Sequence, residues 1–390
     1  MANVMVDRTA AAASGAVPGA EAASAAPARA ATAGAMQGVA PTEAAQKSGP
    51  ARSGAEAIGA ASLSAVMQEL DEQVRSGETT RLHPLATGFQ PLDDILSGGL
   101  RPSELLVIGG PYGVGKTIFA LQVARNAVLR DPTSRAMYVC YEHDRTHLLL
   151  RLLCLETAER GYADEALTLR KLSQLTMDAA DGRGLVDRLR KIPRYAAVLD
   201  GMAAYQDRLI LVKASGDHSP LDSIRGWIDE ASPDGPGRML LVVDYLQKIP
   251  VPRGELQPET ELTTHLMQSL KDIAMSKSIA VLAVAASDRE GLKSKRMRLN
   301  DLRGSSALQY ESDIGLILNN KWAIVSREHQ VYNPAQAEAM RNWLVLSVEK
   351  NRAGRSAVDM EFTLDASHFR LLTTGNFVRE RLVDEKVVLA

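Results

Sequence analysis

Charge of one sign is what this sequence has little of. Its 390 residues carry a formal net charge of -2 at pH 7. That excludes a uniformly basic coat for nucleic acid and leaves room only for a local basic groove. Cysteine is scarce as well. The two present, Cys140 and Cys154, have neither metal-ligand spacing nor a disulfide framework, so the expected setting is a reducing cytoplasm. No apolar run approaches the roughly 20 residues that span a bilayer. The alanine-rich start lacks the leucine-rich core of a signal peptide, and secretion is not expected. There is no internal repeat. Hydrophobic residues nevertheless make up 45%, enough to build the core of one large domain or two smaller ones.

The texture changes along the chain. Residues 1–60 are alanine, glycine, serine and proline, as in "ASGAVPGAEAASAAPARAATAGA". Little there can be buried, so the segment reads as a disordered tail, with or without a tethering role. Within a linker region of 61–86, "SLSAVMQELDEQVRS" places Leu63, Val66, Met67, Leu70 and Val74 on one helical face, and Gly77 supplies a stop. That stripe must be covered, either by its own domain or by a neighbouring subunit. Over 87–375 short apolar runs alternate with helical patterns, and 376–390 reads as a C-terminal tail. Strands such as "ELLVIG", "RMLLVVDYL" and "IAVLAVAA" are apolar on both faces. The expected fold class is therefore α/β, a mainly parallel twisted sheet with helices on both faces. The last strands, "WLVLSVEK" and "AVDMEFTL", have no helix between them, so that edge is expected to be antiparallel.

One stretch carries chemistry directly. "GPYGVGKT" has Gly110, Gly115, Lys116 and Thr117 at G-x-x-x-x-G-K-T spacing, between an apolar strand and the helix "KTIFALQVARNAVLR". Glycines let the backbone turn its N–H groups inward as an anion nest. The lysine reaches β- and γ-phosphates, the threonine offers a hydroxyl to Mg²⁺, and the helix directs its positive end at the same anion. The nucleotide-binding stretch is thus Gly110, Pro111, Tyr112, Gly113, Val114, Gly115, Lys116, Thr117 and Ile118.

A triphosphate also needs a metal held from a second side and a group that activates water. Asp244 ends the apolar run of "MLLVVDYLQ", at the strand edge where ligands sit in such sheets. Glu142 ends the strand in "YVCYEHD". That strand is expected close to the first, where a carboxylate polarises water; the alternative is a solvated carboxylate opening a helix. His143 and Asp144 read as surface or capping residues. "VEKNRAGRS" sets Lys350, Arg352 and Arg355 on an edge turn, either as a solvated turn or as a finger toward a neighbour's nucleotide. "DREGLKSKRMRLNDLRGSS" holds Lys293, Lys295, Arg296 and Arg298 without an intervening acid. This is either a solvated charge run or a loop along a phosphate backbone. It has no aromatic residue, so it offers no base stacking.

Taken together, these segments resemble the C-terminal ATPase domain of DnaB-type replicative helicases, a RecA-like P-loop NTPase, over about residues 87–372. "TGFQPLDDILSGGLRPSELLVIGG" resembles that family's entry to the phosphate loop. "DYLQ" after Asp244 is the most telling match, and "DLRGSSALQYESDIGLIL" resembles the next core segment. The resemblance implies catalytic roles for Lys116 and Glu142, metal and nucleotide contact by Thr117 and Asp244, and a lysine and arginine finger at Lys350 and Arg352. It implies DNA contact by the loop of Lys293, Lys295, Arg296 and Arg298. The implied cofactors are ATP and Mg²⁺. The implied partners are single-stranded DNA, further copies of the chain in a hexameric ring, and a loader or primase. Three departures stand out. Ala285 and Ala286 occupy the positions of the family's Ser-Gln pair. The phosphate loop is worded more like that of RecA or RadA. The tail stands where the family has a helical collar domain, although the helix at 62–76 resembles the family's linker helix.

The expected function is therefore an ATP-driven helicase or translocase on single-stranded DNA in replication. The alternative is a RecA-like ATPase without unwinding, such as a loader, a recombination accessory or a regulatory ATPase. A small-molecule kinase leaves "DYLQ" and "VEKNR" unexplained.

Overall fold

The computed structural model of the protein describes residues 60–383, apart from 178–181, 233–236, 252–258, 289–290 and 327–333. The tail expected over 1–60 lies, but for its last residue, outside the described residues. Helix α1, Leu63–Ser76, opens on Ser62, whose hydroxyl accepts the Ala65 amide, and closes on Gly77 at φ 79. None of its residues is buried. The apolar stripe of Leu63, Val66, Met67, Leu70 and Val74 stands exposed, so its own domain does not cover it.

The remaining elements are built on one ten-stranded sheet. Its order is β10 (Asn376–Phe377), β8 (Val358–Asp365), β7 (Trp343–Asn351), β6 (Ile314–Asn320), β1 (Leu105–Gly109), β5 (Ala280–Val284), β4 (Arg238–Asp244), β2 (Ser134–Cys140), β3 (Leu209–Lys213), with β9 (Arg370–Leu371) on β8. From β6 to β3 all neighbours are parallel. At β7, β8 and β10 they are antiparallel. Two expectations change here. The strand ending before Glu142, β2, is separated from β1 by β5 and β4. Residues 376 and 377 continue the sheet as β10 instead of opening a tail, because β8 still offers an unpaired edge there.

Side chains alternate across the sheet, so each central strand feeds two cores. Leu106 and Ile108 join Phe119, Ala120 and Val123 of helix α3 (Lys116–Arg130) on one face. Leu105 and Val107 join Ile224 of α8 (Leu221–Ala231) and Leu270 of α9 (Glu259–Ser276) on the other. Burial on both faces explains the unbroken apolar strand runs. Each fully buried Leu or Ile contributes about 1.5–3 kcal/mol before entropy is charged. Helices α4 (Arg145–Glu159), α5 (Leu169–Met177), α6 (Leu185–Arg190) and α7 (Pro193–Ala203) enclose a smaller cluster around Leu153, Cys154, Leu189 and Tyr195. A buried pair links α3 to α4: Arg125 grips both oxygens of Glu156, at 2.6 and 2.8 Å. Among the described residues no helix is long and apolar enough to cross a membrane.

The entry to the sheet is fixed by polar contacts. The buried carboxylate of Asp93 accepts the amides of Thr87 at 2.8 Å and Gly88 at 2.9 Å. Phe89 then stacks on Phe119 with ring centroids 5.0 Å apart. Asp313 accepts the Leu105 amide at 2.8 Å and so caps the start of β1.

Candidate functional site

Chain order decides where a ligand can sit. From β1 the chain crosses one face of the sheet through α3 to β2. From β5 it returns through α10 (Ser305–Glu311) to β6, on the other side of β1. Connections that part in this way leave a crevice at the C-terminal ends of the strands. A cavity of about 360 Å³ lies there.

The loop after β1 is built for close approach. Gly110 has φ 148, and a Cβ on it would lie 2.4 Å from the Leu318 carbonyl oxygen. Gly115 precedes the first residue of α3 with φ 105. Only glycine takes such angles cheaply, and the result is a loop whose N–H groups face the helix end. Lys116 bends back so that its ammonium donates to the carbonyls of Gly110 at 2.7 Å and Pro111 at 2.9 Å. Burial lowers its pKa to about 8, against the opposing pull of Asp244 and Glu142.

Asp244 ends β4 and is buried to 1% exposure. Its Oδ2 accepts the Tyr138 hydroxyl at 2.7 Å, and Thr117 bonds it as well. Burial still pushes its carboxyl above the ordinary range. A buried carboxylate beside a hydroxyl is a fitting seat for a hard divalent cation, which would favour its charged form. No group of three or more His, Cys, Asp and Glu suited to a metal occurs among the described residues. A cation here would therefore share its coordination with phosphate oxygens, as Mg²⁺ commonly does.

Glu142 lies just past β2 and lines the same cavity as Lys116, Thr117 and Asp244. It reaches the cavity although β2 is not next to β1. His143 lines it too, 3.1 Å from Arg151, while Asp144 caps α4 by accepting the His147 amide at 2.7 Å. Four residues not singled out from sequence belong to this region. Tyr138 holds Asp244, Arg303 forms part of the wall, and Arg151 stacks over the Phe369 ring at 5.1 Å. Tyr138 had a legible signal, since a tyrosine inside an apolar strand needs a partner for its hydroxyl.

The other candidate residues are elsewhere. Lys350 ends β7 and Arg352 follows it, beside Asp313 at the beginning of β6, where Ile314 pairs with Asn351. Arg352 Nη1 lies 3.2 Å from Asp313 Oδ1, and its Nη2 donates to the Tyr310 carbonyl at 2.6 Å. Lys350 donates to the Gln309 carbonyl. Asp313 caps the start of β1 and the phosphate loop follows its end, so about 13 Å of strand separates the two groups. In the basic loop, Lys293 and Lys295 are exposed, and Arg298 binds Glu349 at 3.0 Å. Arg296 departs from the expectation of a backbone-facing residue. It is 4% exposed, bonds Ser347 at 3.1 Å and pairs with Asp359. A buried arginine already paired inside the fold is not presented to a phosphate chain.

The family model described as "DnaB-like helicase C terminal domain" matches residues 84–371. The chain belongs to that family. Among curated relatives of this DnaB-family chain, the replicative DNA helicase DnaB of Geobacillus stearothermophilus is 26% identical over 242 residues, 62% of this chain and 47% of that protein. The replicative DNA helicase DnaB of Treponema pallidum is 28% identical over 236 residues, 60% of this chain and 48% of that protein. The chain thus spans about half the length of the curated relatives it matches. Among solved structures, an ATPase domain determined on its own superposes with a TM-score of 0.62 at 18% identity, covering 80% of this chain and 99% of that one. A DnaB-like replicative helicase described with its primase interactions gives a TM-score of 0.59 at 18% identity, over 80% of this chain and 67% of that one. The shared fold is the RecA-like one of DnaB ATPase domains.

Proposed function

We propose that this DnaB-family chain is an ATP-hydrolysing motor that moves on single-stranded DNA as a ring of identical subunits. One observation carries the reading. Lys116, Thr117, Glu142 and Asp244 meet in one cavity, while Lys350 and Arg352 stand at the far end of the same sheet. Each subunit then holds two parts of a site that only two subunits complete.

Lys116 exchanges its two carbonyl bonds for phosphate oxygens, and the loop amides take the rest of the phosphate chain. Thr117 and Asp244 hold Mg²⁺, Asp244 through water, and the bound ion neutralises charge on the phosphate oxygens. Glu142 orients the attacking water and accepts its proton. Lys350 and Arg352 reach the adjacent subunit's terminal phosphate, as an arginine finger does. Lys293, Lys295 and Arg298 follow the DNA backbone. The uncovered stripe of α1 supports packing on the next subunit, and a hexamer and a loader or primase partner follow the family pattern.

A second reading is an ATPase that no longer unwinds. It is favoured by Ala285 and Ala286 at the cavity wall, where no polar side chain leaves the end of β5. ATP hydrolysis measured with and without single-stranded DNA, together with strand separation on a forked duplex, separates the two. Stimulated hydrolysis with unwinding supports the motor, and stimulated hydrolysis alone supports the second reading. No hydrolysis by the unmutated chain overturns both.

A further inference from the structure

We propose that Arg303, held by Gln247, reads the terminal phosphate of the bound nucleotide and passes its presence to the basic loop. The proposal rests on the nucleotide-site reading above and deepens it.

Beyond β5 the chain continues through Ala285, Ala286 and Ser287 along the cavity. Two alanines have no atom with which to answer a charge. The cation that comes into this wall is Arg303. Its backbone is held from both sides. The Arg303 amide donates to the Ala286 carbonyl at 3.1 Å, and the Arg303 carbonyl accepts Gln247 Nε2 at 3.2 Å. The same Gln247 accepts the Ala286 amide through Oε1 at 3.0 Å. One side-chain amide therefore ties together the end of β5, Arg303 and the segment that follows Asp244. Directly after Arg303 the chain turns at Gly304, φ 78, where a Cβ would meet Thr263 at 2.5 Å. The backbone is fixed while the guanidinium, on an exposed residue, has a long stem to extend. Its planar fork of donors suits a phosphate group.

The other end of this segment holds the basic loop. Leu302 bridges Ser287, and the Asp288 amide donates to the Asp301 carbonyl at 3.4 Å. Gly291 approaches that carbonyl so closely that a Cβ would lie 2.2 Å from its oxygen. Arg298 is anchored on Glu349. Lys293 and Lys295 therefore sit on a loop fastened at both ends to the segment that carries Arg303. A pull on the guanidinium is transmitted through backbone contacts, not through a flexible linker.

The test compares equilibrium binding of fluorescent ATP and ADP in full chains carrying Glu142→Gln, which suppresses hydrolysis, with and without Arg303→Ala. The expected result is a loss of ATP-over-ADP preference of about tenfold or more, with ADP affinity held within about twofold. Arg303→Lys recovers part of the preference. Gln247→Ala moves it in the same direction by less. The difference in oligo-dT affinity between the ATP and ADP states also disappears in Arg303→Ala. An unchanged preference overturns the proposal. So does a parallel loss for both nucleotides, which marks a structural role, or an equal loss of oligo-dT affinity without nucleotide, which marks a direct DNA contact. If Arg303→Ala changes nothing while Lys116→Ala abolishes nucleotide binding, this proposal alone fails. If Lys116→Ala changes nothing, the underlying site reading fails.

Discussion

Asp313 holds Arg352 at 3.2 Å through one carboxylate oxygen and, through the other, accepts the amide of Leu105 at 2.8 Å. The same oxygen takes Lys271 at 2.6 Å. A single carboxylate thus seats the finger candidate on the beginning of the strand whose end forms the phosphate loop. Asp313→Ala removes the partner of two cations and of a buried amide. Unfolding by denaturant is expected to show a loss of about 2–4 kcal/mol, less than for a fully buried pair because Arg352 is half exposed.

Tyr138→Phe takes away the hydroxyl that Asp244 accepts. The carboxyl, already pushed up by burial, rises further and holds a cation less well. The expected outcome is a stability loss of about 1–3 kcal/mol, together with a higher Mg²⁺ concentration for half-maximal hydrolysis. A Mg²⁺ titration of ATPase rate checks it.

Lys116 titrates near pH 8 instead of its ordinary 10.5. Above about pH 8 the folded chain loses a proton that nucleotide binding must restore. Affinity is expected to fall with rising pH by up to about tenfold per unit. Nucleotide-free stability moves the other way. Between pH 8 and 10.5 the unfolded chain binds more protons than the folded one, so rising pH removes the cost of the buried charge. Binding isotherms and denaturation at about pH 7 and about pH 9.5 measure both effects, on either side of the shifted value.

Arg296 and Lys295 are neighbours with opposite expected behaviour. Arg296→Ala leaves Asp359 and Ser347 without their partner and lowers stability by about 2–4 kcal/mol. Lys295→Ala leaves stability unchanged and lowers the salt dependence of single-stranded DNA binding by about one unit of slope. Titrations across a salt series discriminate the two.

Much of this fold is legible in the residues, for identifiable reasons. Strands buried on both faces must be apolar throughout, as in "LLVI" and "AVLAV", and the phosphate loop needs glycine where φ is positive. Sheet order is not written in the same way. That β5 and β4 separate β1 from β2 depends on which strands pair across more than a hundred residues. Two-residue pairings such as β9 and β10 are too short for any period to show. In "KSKRMR" the charges look alike, yet Arg296 turns inward because Ser347 and Asp359 happen to face it from β7 and β8. Tyr138 and Asp244 meet across 106 positions. Their contact is a product of the sheet, not of local sequence.

The central claim is that a working site needs two subunits, one giving Lys116 and the other giving Arg352. Its most direct test mixes full-length Lys116→Ala and Arg352→Ala chains, each inactive alone, and measures ATP hydrolysis after reassembly. The account predicts that activity returns in the mixture, because some interfaces join an intact Lys116 to an intact Arg352. A mixture as inactive as either chain alone, with assembly confirmed by sedimentation, would contradict it.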